Sequence, residues 1–502
     1  MSRINTNVSS LIAQRILKTQ NQTLTQTLER LSTGSRINRG GDDPAGLIVS
    51  ENLRSQKAAI SAAISNAERA DQVVNIAEGG LQEVSTLLLE VQGLIGQTAN
   101  DAGLSQEEKE ANQLQVDSIL QTIDRIAEAT SFQGTKLLNG TFDFAISGQS
   151  SEIVDFEIKA AKLNEGDTRA VQIIVTQSAQ NAALFLSTGA TSLDLSSDTA
   201  TFQFEIAGSK GARQFSFGSG TTTADIATQI NSFKDVTGIS AVASGDGTAV
   251  GLYLNSTALG SSEFVSIDVS DDAGLTGGVA RLSSSDQNAI TATGFVALAS
   301  VTNALRDEGQ DVGAVINGVQ ATSNGAKARI ANEFLDVELE LSQTAATSLG
   351  SINAFTITGG GAKFNLGPNV DIGNQVSIGI RNIAARNLGN VTDGYLDTLG
   401  AGRTNNLVDG DLTQAQEVVN AAIKQVSTTR GRLGAFQKNV IGTTIRALGV
   451  TLENTTAAES IIRDTDFAQA TADLTRSQIL VQATSNALAI ANNNPQNVLQ
   501  LL

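Results

Sequence analysis

The segment VNIAEGGLQEVSTLLLEVQGLI, residues 74–95, places apolar or small side chains at Val74, Ala77, Leu81, Val84, Leu88, Val91 and Ile95. The gaps alternate between three and four over three heptads, the seam of a helix packed in a coiled-coil-like bundle. Upstream, the helix is expected to open at Pro44. Asp42 and Asp43 can cap it, and Pro44 brings the fixed φ and missing N–H that suit a first turn. From there to Ala99 it would span about 84 Å at ~1.5 Å per residue. A second helix is expected from Ser105, whose S-x-x-E spacing with Glu108 forms a capping box; Val116, Ile119, Ile123 and Ile126 share one face, so the two helices should pack antiparallel. The spacing recurs near the other end, at Val419, Ala422, Val426, Thr429, Leu433, Phe436, Val440, Thr443, Ala447 and Val450, after a Thr413–Gln416 capping box.

Between these helical ends the chain changes character. Residues 141–402 carry 13 basic and 27 acidic side chains, most of the net charge of −18, and 14 of the 17 phenylalanines. Strand alternation is expected in Thr201–Ile206, Arg213–Phe217, Val250–Leu254 and Phe264–Val269, with a short helix over Thr222–Phe233. Residues 201–270 therefore read as a compact β-β-α-β-β module. Gly218-Ser-Gly220 lacks the Lys-Ser/Thr of a phosphate loop and reads as a strand-to-helix turn. Asp246, Asp271 and Asp272 lack the spacing of a calcium loop and read as solvated turns.

Composition removes most catalytic chemistry. There is no His and no Cys. Ser-His-Asp triads, thiol nucleophiles, disulfides, thiolate zinc sites and imidazole metal ligands are all excluded. No cofactor and no enzyme activity are expected. The acidic balance is a poor match for phosphate backbones, so nucleic acid is not an expected partner. No apolar run reaches the ~18 to 20 residues of a membrane span, and the N-terminus lacks a signal-peptide core, so neither membrane insertion nor a cleaved signal is expected.

The two termini share an unusual feature. Residues 477–502 contain no charged side chain, yet Phe467, Leu474, Val481 and Leu488 fall seven apart leading through them. Leu17, Leu24, Leu28 and Leu31 stand at heptad-compatible positions among Gln, Asn and Thr. Burying four such side chains contributes roughly 6 to 12 kcal/mol, less than the backbone entropy of ordering the tail, so an isolated helix is marginal. These ends are expected to order when neighbouring copies cover them. With Leu499 and Leu502 they form the expected assembly interface.

The chain resembles bacterial flagellin, the subunit of the flagellar filament. The resemblance is carried at the front by Ile4-Asn-Thr-Asn7, Ala13-Gln-Arg15, Glu29-Arg-Leu-Ser-Thr-Gly-Ser-Arg-Ile-Asn38, Asp42-Asp-Pro-Ala-Gly-Leu47, Asp124-Arg-Ile-Ala127 and Phe132-Gln-Gly134. At the back it is carried by Leu433-Gly-Ala-Phe-Gln437, Glu453-Asn454, Asp464-Thr-Asp-Phe-Ala468, Gln478-Ile-Leu480 and Pro495-Gln-Asn-Val-Leu499. Asp42-Asp-Pro44 departs from the pattern, since many flagellins carry Ala after the Asp pair and hook-filament junction proteins share this version. A junction protein and a surface adhesin using the middle domain are the alternative readings.

The resemblance implies an α+β multidomain chain: coiled-coil and rod domains of long helices formed by both chain ends, with a mainly β inserted outer domain. The implied division is a terminal coiled coil at 1–43 and 454–502, a helical rod domain with β-hairpins at 44–177 and 350–453, and an outer domain at 178–349. It further implies a helical homopolymer for motility, outside the cell. Export would use the flagellar type III apparatus with a chaperone on the C-terminal helix, and hook-associated junction and cap proteins would be partners. Stimulatory family members carry an L-Q-R-x-R-E-L motif for the vertebrate Toll-like receptor that senses flagellin. The aligned run here is Leu88-Leu-Glu-Val-Gln-Gly-Leu94, altered at Glu90, Gln92 and Gly93.

Overall fold

The computed structural model describes residues 6–100, 103–164, 166–195, 199–244, 250–282, 292–301 and 304–499. Six long helices stand among them: α1 (Val8–Thr33), α2 (Pro44–Thr98), α3 (Gln106–Ala129), α4 (Leu412–Ala435), α5 (Gly442–Arg463) and α6 (Phe467–Leu499). The chain parts into two compact units, one of residues 1–71, 365–374 and 435–502, the other of residues 72–364 and 375–434.

In the larger unit the heptad seam of α2 is buried throughout, with Val74, Ala77, Leu81, Val84, Leu88 and Val91 fully shielded. The α3 helix opens on the Ser105–Glu108 capping box, both reciprocal bonds made. It runs antiparallel to α2: Asn112 Nδ2 donates to Thr98 Oγ1 at 3.1 Å, while Gly80 sits tight against Thr130 and Leu138. The α4 helix lies along the other side, where Arg430 pairs with Glu78 at 2.8 Å and Gln92 Nε2 donates to Asn420 Oδ1 at 2.9 Å. Its start differs from the expected Thr413–Gln416 box. Asp411 Oδ1 accepts from the N–H groups of Thr413 and Gln414, because a carboxylate one residue before the helix reaches those orphan donors first.

The C-terminal stripe also departs from its expected course. Val419, Ala422, Val426, Thr429, Leu433 and Phe436 are buried, but Thr443, Ala447 and Val450 are exposed. A π-helical turn at Phe436–Ile441 is the reason. Its widened turn absorbs an extra residue, so the shielded positions become Ile441, Ile445, Leu448 and Leu452.

The middle of the larger unit is two double sheets, antiparallel throughout. In the first, Val319–Gln320, Gly313–Ile316, Arg169–Gln177, Gly350–Gly360 and Phe144–Ser147 face a sheet of Thr322–Asn324, Lys327–Ala331, Leu335–Leu341 and Ile153–Ala161 across one core. In the second, Ala292–Ala297, Gly278–Leu282, Ala183–Ser187, Gly251–Ser256 and Ile239–Ser244 face Leu305–Glu308, Phe264–Asp271, Thr201–Gly208 and Ala212–Gly218. The expected strands and the helix, here Thr223–Asn231 capped by Thr222, are all present. The module at 201–270 is nevertheless no separate body. Its strands are shared between both sheets and bury Phe202, Phe204 and Ile206 against Leu184, Leu186 and Val279 from outside that range. The strand Ile239–Ser244, made of small residues with no bulky alternation, escaped the sequence pattern.

Gly218–Gly220 does form a turn, with Thr221 N donating to Gly218 O, and Asp271 and Asp272 cap their own loop at Ala273 and Gly274. Asp246 lies outside the described residues. No helix among the described residues is long and apolar enough to cross a membrane.

Candidate assembly interface

The smaller unit holds the two ends of the chain. Asn7 Oδ1 caps α1 by accepting from Ser10 N at 3.0 Å, and Gly34 ends it in the left-handed region at φ +72°. Asp466 Oδ1 caps α6 through the N–H groups of Ala468 and Gln469. The two helices pair antiparallel. At one end Asn7 Nδ2 donates to Ala491 O at 2.7 Å and the Ser10 hydroxyl to Asn492 Oδ1 at 2.7 Å. At the other, Thr465 N donates to Gly34 O at 2.9 Å, Arg36 N to Arg463 O at 2.6 Å, and the Arg36 guanidinium to Ile462 O at 2.7 and 3.1 Å.

On α1 the shielded positions are Ser10, Ala13, Leu17, Gln20, Leu24, Thr27 and Leu31; on α6 they are Ala470, Leu474, Ser477, Val481, Thr484, Leu488 and Ala491. Both series keep strict 3/4 spacing. Leucine or valine alternates with small or amide-bearing residues, so the pairing is close but thin. Most of the larger side chains are only half-buried. The intervening Ser10, Ala13, Gln20, Thr27, Ala470, Ser477, Thr484 and Ala491 are missed by a search for leucines and found by extending the spacing. Leu28 and Phe467 point away from this seam, 48% and 58% exposed. Leu499 closes α6, and Leu502, Ile4 and Asn5 lie outside the described residues.

Below Gly34 the chain turns into α2. Asp43 Oδ1 accepts from Gly46 N at 2.9 Å and caps the helix at Pro44. Asp42 instead orders the loop: Oδ2 accepts from Arg39 N at 2.9 Å and Asn38 N at 3.1 Å, and Oδ1 from the Gln26 amide at 3.2 Å. The Arg39 amide first, then the Asn38 amide, holds this carboxyl below its usual range. A first-half ion pair, Lys57 with Glu459 at 2.6 Å, ties α2 to α5 within this unit.

The opposite faces carry exposed apolar side chains: Val8, Leu11, Ile12 and Ile16 on α1, Ile479, Leu480 and Ile490 on α6, Ile461 on α5. In the larger unit Glu90 and Gly93 are exposed, while Gln92 is held by Asn420.

Residues 4–143 match the family model of the bacterial flagellin N-terminal helical region, residues 416–502 that of its C-terminal helical region, and residues 201–258 that of the flagellin hook IN motif. The flagellin of Salmonella typhimurium is 28% identical over 525 residues, covering 99% of each chain. The chain belongs to the bacterial flagellin family. Flagellin B of Helicobacter pylori is 27% identical over all of this chain and 99% of its own, and polar flagellin F of Vibrio parahaemolyticus is 41% identical over 162 residues, 32% of this chain and 43% of that one. A solved FliC from Burkholderia pseudomallei covers 74% of this chain and 99% of its own at 14% identity and a TM-score of 0.22. Residues within the matched regions have local roles: Gly34, Arg36 and Thr465 make the main-chain clasp, and Asp42, Asp43, Pro44 and Gly46 make the entry to α2.

Proposed function

We propose that this flagellin builds the flagellar filament by laying the outer faces of its paired terminal helices against those of neighbouring copies. The observation that carries the reading is the row Val8, Ile12 and Ile16, four residues apart and 56%, 46% and 41% exposed, with Ile479 and Ile490 at 63% and 68% on the partner helix. A monomer leaves these side chains in water, and the charge-free 477–502 segment gives them no solvated flank. Contact between copies removes that cost. Leu17, Leu24, Leu31, Leu474, Val481 and Leu488 supply the inner seam; Leu28 and Phe467 are assigned to contacts beyond it, and Leu499 and Leu502 stay part of the proposed interface.

In this reading residues 1–43 and 454–502 are the assembly-dependent part, 44–177 and 350–453 the rod, and 178–349 the solvent-facing part, with Arg169–Gln177 and Gly350–Gly360 on one side of that division sharing a core with Gly313–Ile316 and Leu335–Leu341 on the other. The role is structural, at the flagellum outside the cell. Before assembly an export chaperone covers the apolar face of α6, the type III apparatus exports the chain without a cleaved signal, and junction and cap proteins meet the same terminal surfaces at the filament ends. The test is pelleting and electron microscopy of purified chains. The unaltered chain forms filaments; Ile12→Asp and Ile490→Asp remain soluble with unchanged helix content. Normal filaments from both variants would overturn the interface.

A further inference from the structure

The second double sheet, residues 182–308, is inserted into the first between Gln180 and Gln310. Those two residues pair reciprocally, Gln180 N donating to Gln310 O at 2.8 Å and Gln310 N to Gln180 O at 2.9 Å. Two strands crossing side by side fix the position of an insert but leave it free to swing about the line between them. Removing that freedom takes a third contact away from the line.

A third contact is present at Asp311. Its Oδ1 accepts from Ser261 N at 2.9 Å, on the insert, and from Gly325 N at 2.7 Å, on the host hairpin; its Oδ2 accepts from the Ser261 hydroxyl at 2.5 Å. Around it the backbones meet without room for side chains. A Cβ on Gly260 would stand 2.7 Å from Gly325 Cα, one on Gly325 2.7 Å from Leu259 O, and one on Gly309 2.4 Å from Gly260 O. Gly260 and Gly325 also hold φ of +122° and +62°, which side-chain-bearing residues rarely adopt. Gly260 N donates to Gln180 O at 3.2 Å and Val312 N to Gly325 O at 2.9 Å, closing the joint on both sides. A single carboxylate thus accepts from donors of both bodies at once, the exposed Ser261 and the buried Gly325, and charge-assisted bonds of this kind are among the stronger ones.

We propose that the inserted double sheet is latched to its host rather than tethered, and that Asp311 is the latch. Its removal unlocks the swing without unfolding either body, because Asp311 is itself no member of either core, while its neighbour Val312 and the insert's Leu259 keep their packing on the first. The absence of native cysteine allows clean spin labelling. Labels on Ser216→Cys, exposed on the insert, and Thr344→Cys, exposed on the host, read the distance between them. The full chain gives one narrow distribution, and adding Asp311→Ala broadens it at least twofold. Equal widths overturn the latch. Amide exchange supplies the second measurement: in Asp311→Ala the Ser261 and Gly325 amides exchange at least tenfold faster, while Leu254 and Ile316 in the two cores keep their rates. Faster exchange at the core amides too would mean unfolding instead and would equally overturn the proposal.

Discussion

At Gly46 one missing methyl group sets the geometry of the whole entry to α2. A Cβ there would stand 2.4 Å from Asp43 Oδ2 and 2.8 Å from Ile37 Cδ1. Asp43 can move, but only by giving up the bond that caps the helix, and Ile37 is buried. Gly46→Ala is therefore expected to cost about 1 kcal/mol, within the ~0.5 to 2 kcal/mol of a lost cap, read as a lower thermal midpoint of the far-ultraviolet signal. Asp42 sets a pH dependence. Its folded value is depressed, so its contribution is complete above the unfolded value near ~3.9 and is lost as pH falls through the lower folded one. Asp42→Asn should lower the midpoint at pH 7, and the gap to the unaltered chain should close as the pH drops below about 4. On the face of α2, Leu88 and Val91 are fully buried whereas Glu90 and Gly93 are exposed, so the packing of the helix does not depend on the residues at the expected receptor-motif positions. Purified monomer is expected to signal weakly or not at all in reporter cells bearing the flagellin-sensing receptor; strong activation at concentrations effective for stimulatory flagellins would contradict this.

Among the helices, legibility followed side-chain size. The seam of α2 could be read from the sequence because Val, Leu and Ile stand at every seam position from Leu81 to Ile95. The α1–α6 seam could be read only at every seventh residue, since Ser10, Thr27 and Ser477 shield as well as leucine does while looking polar. The π-turn could not be read at all: Phe436–Ile441 has no residue that forces it, and the 3/4 spacing continues in the sequence past the point where the backbone leaves it. The pairing of α1 with α6 also implies mutual dependence. Neither buries enough to stand alone, so deleting residues 477–502 should cost more helix signal than that segment contributes, because part of α1 melts with it. The truncated chain is expected to stay soluble and fail to pellet, with the thermal transition of the larger unit unchanged. Filaments from it would place the assembly contacts elsewhere.

For the chain as a whole, alternating strands announced a β-rich middle, but not where it divides. Alternation reports which face of a strand is buried, not which sheet buries it. The strands of 201–270 looked like one module because they are consecutive, yet their apolar faces close on Ala183–Ser187, Gly278–Leu282 and Val301. The physical unit runs instead from the Gln180–Gln310 bridge around to itself. Two deletions separate these descriptions. Removing residues 201–270 takes away Phe202, Phe204, Ile206, Leu252, Leu254, Val265 and Ile267 while leaving Leu184, Leu186, Val279 and Leu298 exposed to water, so that chain should aggregate or be degraded. Removing residues 181–309 joins two residues already paired through their backbones, leaves Arg169–Gln177 and Gly313–Ile316 connected by a short hairpin loop, and keeps every buried residue of the first core, losing only the half-buried Leu259 that packs on it. That chain should fold, remain soluble and still form filaments, measured by pelleting and electron microscopy beside the 201–270 deletion. If the longer deletion folds but no longer assembles, part of the contact between copies lies on the insert and the terminal helices are not sufficient.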